Sequence, residues 1–358
     1  MHWTGKVTSE AFSLGSLHVA WYGIIITCAM ILALFISIRR VKRINESSDD
    51  MLMLFLICIP IAVIAARLGY VVSNYKDYFV SPYNWDAFVN TIAIWNGGLT
   101  ILWGVPGGVV GGLIWAKIYK KDLIRVADIV LPTVLLAQAI GRWGNFFNQE
   151  VYGAVADPTN YWWLPKAVQL NMFIDGEFRV PLFFIEGCMN LVGYLLIRFA
   201  VGKGLRKYIE LGDLCFSYIV WYGLTRVALE PLRHEHYNMG QDGYWSWFWS
   251  IIFVLVGTLL IFVNHLVRYL IDKKKGNVTF KKVSMAWVNG VFSFFGVLSI
   301  GLIIIGAIFM AKNTRSNMIA FDPYNVSLIM LVIGLSLLFI FGCVVIYLLR
   351  AKAKEKHD

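Results

Sequence analysis

The stretch QAIGRWGNFFNQEVYG, residues 138–153, sets Arg142, Asn145, Asn148 and Glu150 at the end of an apolar run. Ionisable groups are costly in hydrocarbon and persist there where they face a partner or a ligand. An apolar run closing on an arginine, two amides and a carboxylate predicts a spanning helix that delivers polar chemistry to a membrane surface.

The rest of the 358-residue chain agrees. Hydrophobic residues make up 58% and charged residues 15%, and the mean hydropathy is +0.65, which leaves too little polar surface for a water-soluble globule. Apolar stretches of about 18 residues or more fall near residues 17–38, 51–73, 98–119, 124–143, 181–201, 211–230, 245–266, 288–310 and 326–349. The expected fold class is all-α, a polytopic membrane helix bundle. The segment 149–179 between the fourth and fifth runs carries Tyr161, Trp162, Trp163 and Pro165, and is expected to form a small external cap.

Lysine and arginine fix the expected orientation, because short loops rich in them stay in the cytoplasm. Alternate loops and the tail hold 22 of the 32 basic residues, among them Arg39, Arg40, Lys120, Lys121, Lys203, Lys273 and Arg350. The amino terminus is therefore expected outside and the carboxyl terminus in the cytoplasm. The net charge of +10 follows from this asymmetry and suits anionic lipid headgroups, so nucleic acid is not an expected partner. The first ten residues lack the basic start and short apolar core of a cleaved signal, so the first apolar run is expected to be retained.

Counting about 1.5 Å per residue from the cytoplasmic ends puts Arg67, Arg142 and Arg226 at similar depth, toward the outer side. On the sixth run Tyr222, Arg226, Glu230 and Arg233 share one helical face, and Glu230 can neutralise either arginine. An isolated arginine–glutamate pair is often only structural, but three arginines at one depth suit a phosphate headgroup, which a guanidinium holds with paired hydrogen bonds. Glycines 104, 107, 108, 111 and 112 in the third run repeat the small-residue spacing that lets helices pack closely. Trp21 and Tyr22 read, on position alone, as interfacial anchors.

The five cysteines all fall inside apolar runs and are read as packing residues. His234 and His236 flank Glu235 in a loop, a spacing too weak to predict a metal, and no metal or cofactor is expected. No serine elbow, phosphate-binding loop or zinc-protease motif is present.

Several blocks in order resemble the prolipoprotein diacylglyceryl transferases of bacteria: WYG at 21–23, ARLGY at 66–70, WNGG at 95–98, Asp128, the central GRxGNFxNxExxG at 141–153 and YGxxRxxxExxR at 222–233. The resemblance spans roughly residues 14–265. It implies a seven-helix transferase core, residues 1–267, followed by a basic loop and two additional transmembrane helices, residues 268–358.

It also implies transfer of the diacylglyceryl group from phosphatidylglycerol to the lipobox cysteine of a prolipoprotein signal peptide, at the bacterial plasma membrane. Arg142 and Arg226 are the implied catalytic residues. Tyr22, Arg67, Asn145, Glu150, Gly153, Tyr222, Glu230 and Arg233 are the expected substrate-binding set. The chain departs from the family pattern at Leu102, where many members carry a histidine, and at VPLFFIE, residues 180–186, where Pro181 and Glu186 are kept but a tyrosine is replaced by Ile185. The histidine's absence leaves the general base unassigned and keeps a catalytically silent member as one alternative. A phospholipid-binding transporter is the other, though neither midplane charge nor inverted repeats are evident.

Overall fold

The computed structural model describes residues 7–14, 17–43, 47–78, 85–94, 97–234, 244–276, 297–308 and 323–354. It is all-α apart from two short hairpins. Among the described residues six helices are long and apolar enough to cross a membrane, and the protein is a polytopic membrane helix bundle. The chain divides into two compact units, one of residues 1–33 and 131–358, the other of residues 34–130.

In the larger unit, strands β1 (Glu10–Leu14) and β2 (Leu17–Ala20) pair antiparallel and lead into α1, Trp21–Lys42. The first span was expected from Leu17. Residues Leu17–Ala20 instead complete a ladder with residues 10–14, and the helix regains its length at its far end, closing on Arg39, Arg40 and Lys42. Its last turns belong to the smaller unit.

That smaller unit is built around α2 (Ser48–Ser73) and α5 (Ile101–Tyr119), joined by α3 (Tyr75–Tyr78) and α4 (Trp85–Ile92). Ser47 caps α2 by accepting from the Asp49 amide at 3.1 Å, and Asp49 and Asp50 complement the helix dipole. The expected glycine packing is realised here. A Cβ on Gly107 would lie 2.4 Å from the Ala65 Cβ, and one on Gly111 would lie 2.9 Å from the Cys58 Cα. Only hydrogen at these positions permits the approach. Around the start of α2 and the end of α5, Val41, Met51, Leu54, Trp115, Val126 and Ile129 form the core.

Helix α6 (Leu123–Asn148) starts where Asp122 accepts from the amides of Ile124 and Arg125 at 3.0 and 3.2 Å. It runs beyond the expected end near residue 143, so the central signature is mostly helical. The cap follows in the larger unit. A 3-10 turn at Pro158–Tyr161, helix α7 (Lys166–Asn171) and the hairpin β3–β4 (Phe173–Ile174, Glu177–Phe178) enclose Leu164, Val168, Met172 and Phe178 with Phe146 and Phe183. Asp157 opens the 3-10 turn, and its bonds from the Thr159 hydroxyl and amide hold its carboxyl below the usual range.

Helix α8 (Leu182–Leu195) continues into a wider π turn over Leu196–Gly204, and α9 (Asp213–Leu229) ends in a 3-10 turn at Glu230–Leu232. Helix α10 (Tyr244–Lys274) packs along α9. Gly223 and Gly257 let them close, since a Cβ there would lie 2.7 Å from the Ser250 carbonyl oxygen and 2.6 Å from Val220 respectively. At the foot of this pair Asp213 accepts from Asn264 at 2.9 Å and contacts the His265 Nε2 at 2.8 Å, all but excluded from solvent.

The expected additional helices appear as α11 (Val297–Ile308) and α12 (Pro323–Lys354). A Cβ on Gly306 would meet the Ser327 carbonyl oxygen at 2.8 Å, and one on Gly334 the Ser299 carbonyl oxygen at 2.9 Å, so the two helices touch backbone to backbone. Helix α12 packs on α10 through Phe262–Phe339, with ring centroids 5.7 Å apart, and Thr258–Ser336 at 3.4 Å.

Candidate functional site

The larger unit brings residues from α6, α8 and α9 into one ionic chain, buried at Glu186, Arg226 and Glu230 and half-buried at Arg142, Glu150 and Arg233. It starts on Glu150, just past α6, whose Oε1 accepts from the Asn145 and Asn148 side-chain amides at 3.1 and 3.2 Å. The Asn145 Oδ1 takes a long contact of 3.4 Å from the Arg142 Nη1. The Arg142 Nη2 donates to the Oε1 of Glu186 on α8. The other oxygen of Glu186 lies 4.0 Å from the Arg226 Nη1 on α9, whose Nη2 meets Glu230 at 2.8 Å. Arg233 closes the chain, its Nε 3.8 Å from Glu230.

Three arginines thus alternate with three carboxylates. Glu186, Glu230 and Arg226 are 5%, 3% and 8% exposed. Buried this deeply, each loses about 3–5 kcal/mol of stability when left without any partner. Both Glu230 carboxylate oxygens lack a geometrically satisfactory hydrogen bond, so this end of the chain is held by charge more than by directed bonds. Beyond the end of α9, burial first and then the neighbouring Arg226 pull Arg233 below the ordinary arginine value, with Glu230 and Glu186 opposing.

The elements explain the convergence. Gly187, next to Glu186, packs against α6, where a Cβ would lie 3.3 Å from the Ala139 carbonyl oxygen and 3.9 Å from the Arg142 Cβ. Gly153 makes the matching contact in the loop, where a Cβ would lie 2.6 Å from both the Leu232 carbonyl oxygen and the Val180 Cβ. Its amide donates to the Val180 oxygen at 3.0 Å, and it bridges Arg233. Tyr22, in the first turn of α1, lies over Gly144, where a Cβ would be 2.6 Å from its ring. It is within electrostatic reach of Glu150 and Arg142. Trp21 stacks on Phe147 at 5.3 Å. Tyr222 sits one turn before Arg226 and packs edge-on to Phe253 at 5.8 Å.

Arg67 belongs to the smaller unit and is 4% exposed. Its Nε donates to the Thr91 carbonyl at 3.0 Å, its Nη1 to those of Gly97 and Gly98 at 2.7 and 3.1 Å, and its Nη2 to that of Asn90. Gly97 and Gly98 adopt φ of +82° and +72°, the left-handed region that glycine enters freely. A Cβ on Gly98 would lie 2.7 Å from the Arg67 Nη1. Trp95, Asn96, His236 and the side chain of Leu102 lie outside the described residues.

Comparison with known proteins decides the family. The family model described as prolipoprotein diacylglyceryl transferase matches residues 9–263. The chain belongs to the prolipoprotein diacylglyceryl transferase family. A relative from Streptococcus equi subsp. equi, named phosphatidylglycerol–prolipoprotein diacylglyceryl transferase, is 36% identical over 255 residues, covering 71% of this chain and 94% of the relative. One of the same name from Streptococcus mutans is 35% identical over 262 residues, covering 72% and 97%. Membership makes this a multi-pass bacterial membrane enzyme.

Glu186 is the member of the ionic chain that the sequence reading left out of the site. The signal was present, since an acidic residue inside the apolar run 181–201 requires a partner. Pairing it with both arginines required the packing of α6, α8 and α9. A second polar group, Asp213 with Asn264 and His265, went unread because its members lie 51 and 52 residues apart.

Proposed function

We propose that this protein transfers the diacylglyceryl group of phosphatidylglycerol to the thiol of the lipobox cysteine in a prolipoprotein signal peptide. A thioether forms and glycerol phosphate is released. The observation that carries the reading is the Arg142–Glu186–Arg226–Glu230–Arg233 chain, buried within a member of the transferase family. In the reaction the cysteine sulfur forms a bond to the terminal glycerol carbon as the bond from that carbon to the phosphate oxygen breaks. The electron pair leaves with the phosphate, and the thiol proton passes to a base.

Arg142 and Arg226 fill the catalytic roles. Their guanidinium groups present paired donors to the phosphate, and charge developing on the departing oxygen is stabilised most strongly where water is excluded. Glu186 and Glu230 keep these cations neutralised before lipid binds, which a buried, uncompensated charge would not permit. Arg233 adds positive charge on the headgroup side, and Tyr222 shapes the wall below Arg226. Asn145 and Glu150 continue the chain toward Tyr22, and Glu150 is the carboxylate proposed to take the thiol proton. Gly153 lets the loop approach Val180 and Leu232. Arg67 contributes to substrate binding indirectly, by holding the carbonyls of Asn90, Thr91, Gly97 and Gly98. Holding a membrane-bound thiol against a membrane-bound lipid supplies much of the remaining rate.

The active layer faces outward, with the amino terminus outside and the carboxyl terminus in the cytoplasm. The distribution of basic residues supports this orientation. Residues 1–267 form the transferase core and 268–358 an extension, a division supported by the family match ending at residue 263. The test uses purified protein in phosphatidylglycerol vesicles with a lipobox peptide. The expected result is a diacylglyceryl mass gain on the peptide, with released glycerol phosphate, that disappears with a Cys→Ser peptide. Lipid binding without any mass gain would favour the silent-binder or transporter readings.

A further inference from the structure

Four described non-glycine residues adopt left-handed backbone, and two of them, Gln149 at φ +50° and Val151 at φ +55°, flank Glu150. The other two have ordinary local reasons. Lys120 ends α5, and Asp175 precedes Gly176 in the β3–β4 turn, both accepted positions for this conformation. Val151 is different, because a β-branched side chain there is strongly disfavoured and persists only where the surroundings over-determine it.

Those surroundings are visible. The Gln149 Nε2 donates to the Asn171 carbonyl at 3.0 Å. Asn171, at the end of α7 and 3% exposed, also accepts from the Val7 amide at 2.7 Å and donates to the Ala167 carbonyl at 2.8 Å. On the other side of the elbow the Glu150 amide donates to the Asn145 carbonyl at 3.0 Å, and the Tyr152 carbonyl accepts from the His234 amide at 3.3 Å. A narrow cavity bordered by Asn145, Gln149, Glu150, Val151 and Asn171 adjoins the bend. The chain is therefore pinned on both sides of the carboxylate, once to the cap and once to the end of the ionic chain.

We propose that Gln149 and Val151 are positioning residues, a strained elbow clamped to Asn171 of the cap that aims the Glu150 carboxylate at Asn145 and its partner Arg142. The proposal rests on the transferase reading for its effect on rate, and stands on the elbow itself for its effect on structure. Such an elbow has a distinctive signature, because a glycine there removes the strain and also frees the backbone to leave the bend, which loosens the group it aims. Loss of aim by about 1 Å is enough to slow a positioned reaction on the order of a hundredfold.

The test compares Val151→Gly, Val151→Asn and Gln149→Ala in the full chain in phosphatidylglycerol vesicles. Val151→Gly is expected to raise the melting temperature, speed amide exchange over residues 150–153, and lower kcat by about tenfold or more with the KM for phosphatidylglycerol unchanged. Val151→Asn, whose side chain tolerates the left-handed region, should keep exchange and kcat near wild type. Gln149→Ala should speed exchange and lower kcat as Val151→Gly does. Wild-type exchange in Val151→Gly overturns the proposal, as does equal loss of kcat in Val151→Gly and Val151→Asn. Exchange is read without peptide substrate, so it judges the elbow even if wild-type protein transfers nothing, an outcome that would overturn the proposed function alone.

Discussion

Two arginine environments in this protein differ in what answers the charge. Arg142 and Arg226 face carboxylates, Glu186 between them and Glu230 beyond, whereas Arg67 faces the main-chain carbonyls of Asn90, Thr91, Gly97 and Gly98. A carboxylate on a side chain can yield its place to an incoming phosphate of the same charge and similar geometry. Carbonyls that define the path of a loop cannot leave without unmaking the loop. On the proposed function the first environment serves exchange of anions and the second shape, although sequence position alone gave all three arginines the same reading.

Substitutions can break this comparison. Arg142→Ala and Arg226→Ala are each expected to lower transfer by about a thousandfold, as loss of a donor to developing negative charge does, while the protein still inserts. Transfer assays alongside membrane fractionation check this. Glu186→Ala should destabilise the larger unit by about 1.5–3 kcal/mol, the cost of a lost charged hydrogen bond, since it removes the carboxylate partner of Arg142 and a longer contact to Arg226, which keeps Glu230. Denaturant unfolding in neutral-lipid bicelles measures it. Added phosphatidylglycerol should restore more stability to Glu186→Gln than to wild type, because the anion replaces the missing counter-charge.

Arg67→Ala removes the guanidinium donor to the carbonyls of Gly97 and Gly98, at about 1–3 kcal/mol for a buried group. Its effect should appear as faster proteolysis and lower melting temperature, with transfer falling far less than in Arg142→Ala. A deeper loss of transfer at Arg67 would erase the distinction. The smallest effect is expected at Gly153→Ala, where crowding against Val180 and the Leu232 carbonyl oxygen costs about 1–3 kcal/mol. Thermal unfolding checks that change.

Much of the architecture was legible because a bilayer forces long apolar runs, and the runs ending in Arg142 and Arg226 are continuous in sequence. The central signature was readable for the same reason, since Arg142, Asn145, Asn148 and Glu150 lie within nine residues and one helix end. What escaped depends on long-range pairing. Residues 17–20 are apolar enough to extend a helix, and only their ladder with residues 10–14 reveals a strand. The two-sided role of Glu186, the carbonyl cage around Arg67 and the left-handed backbone at Val151 each arise from neighbours 23 to 44 residues away or from a clamp on the cap. Periodicity carries no record of these.

The central claim is that the carboxylate-balanced pair of arginines is where phosphate binds. The most direct test is titration of wild type, Arg142→Ala, Arg226→Ala and Arg67→Ala with a non-transferable phosphonate analogue of phosphatidylglycerol, in which a methylene replaces the oxygen between the diacylglyceryl carbon and phosphorus, in neutral bicelles, followed by calorimetry. The account predicts that binding is lost in the first two variants and retained in Arg67→Ala. Retained binding in Arg142→Ala and Arg226→Ala, with loss in Arg67→Ala, would contradict it.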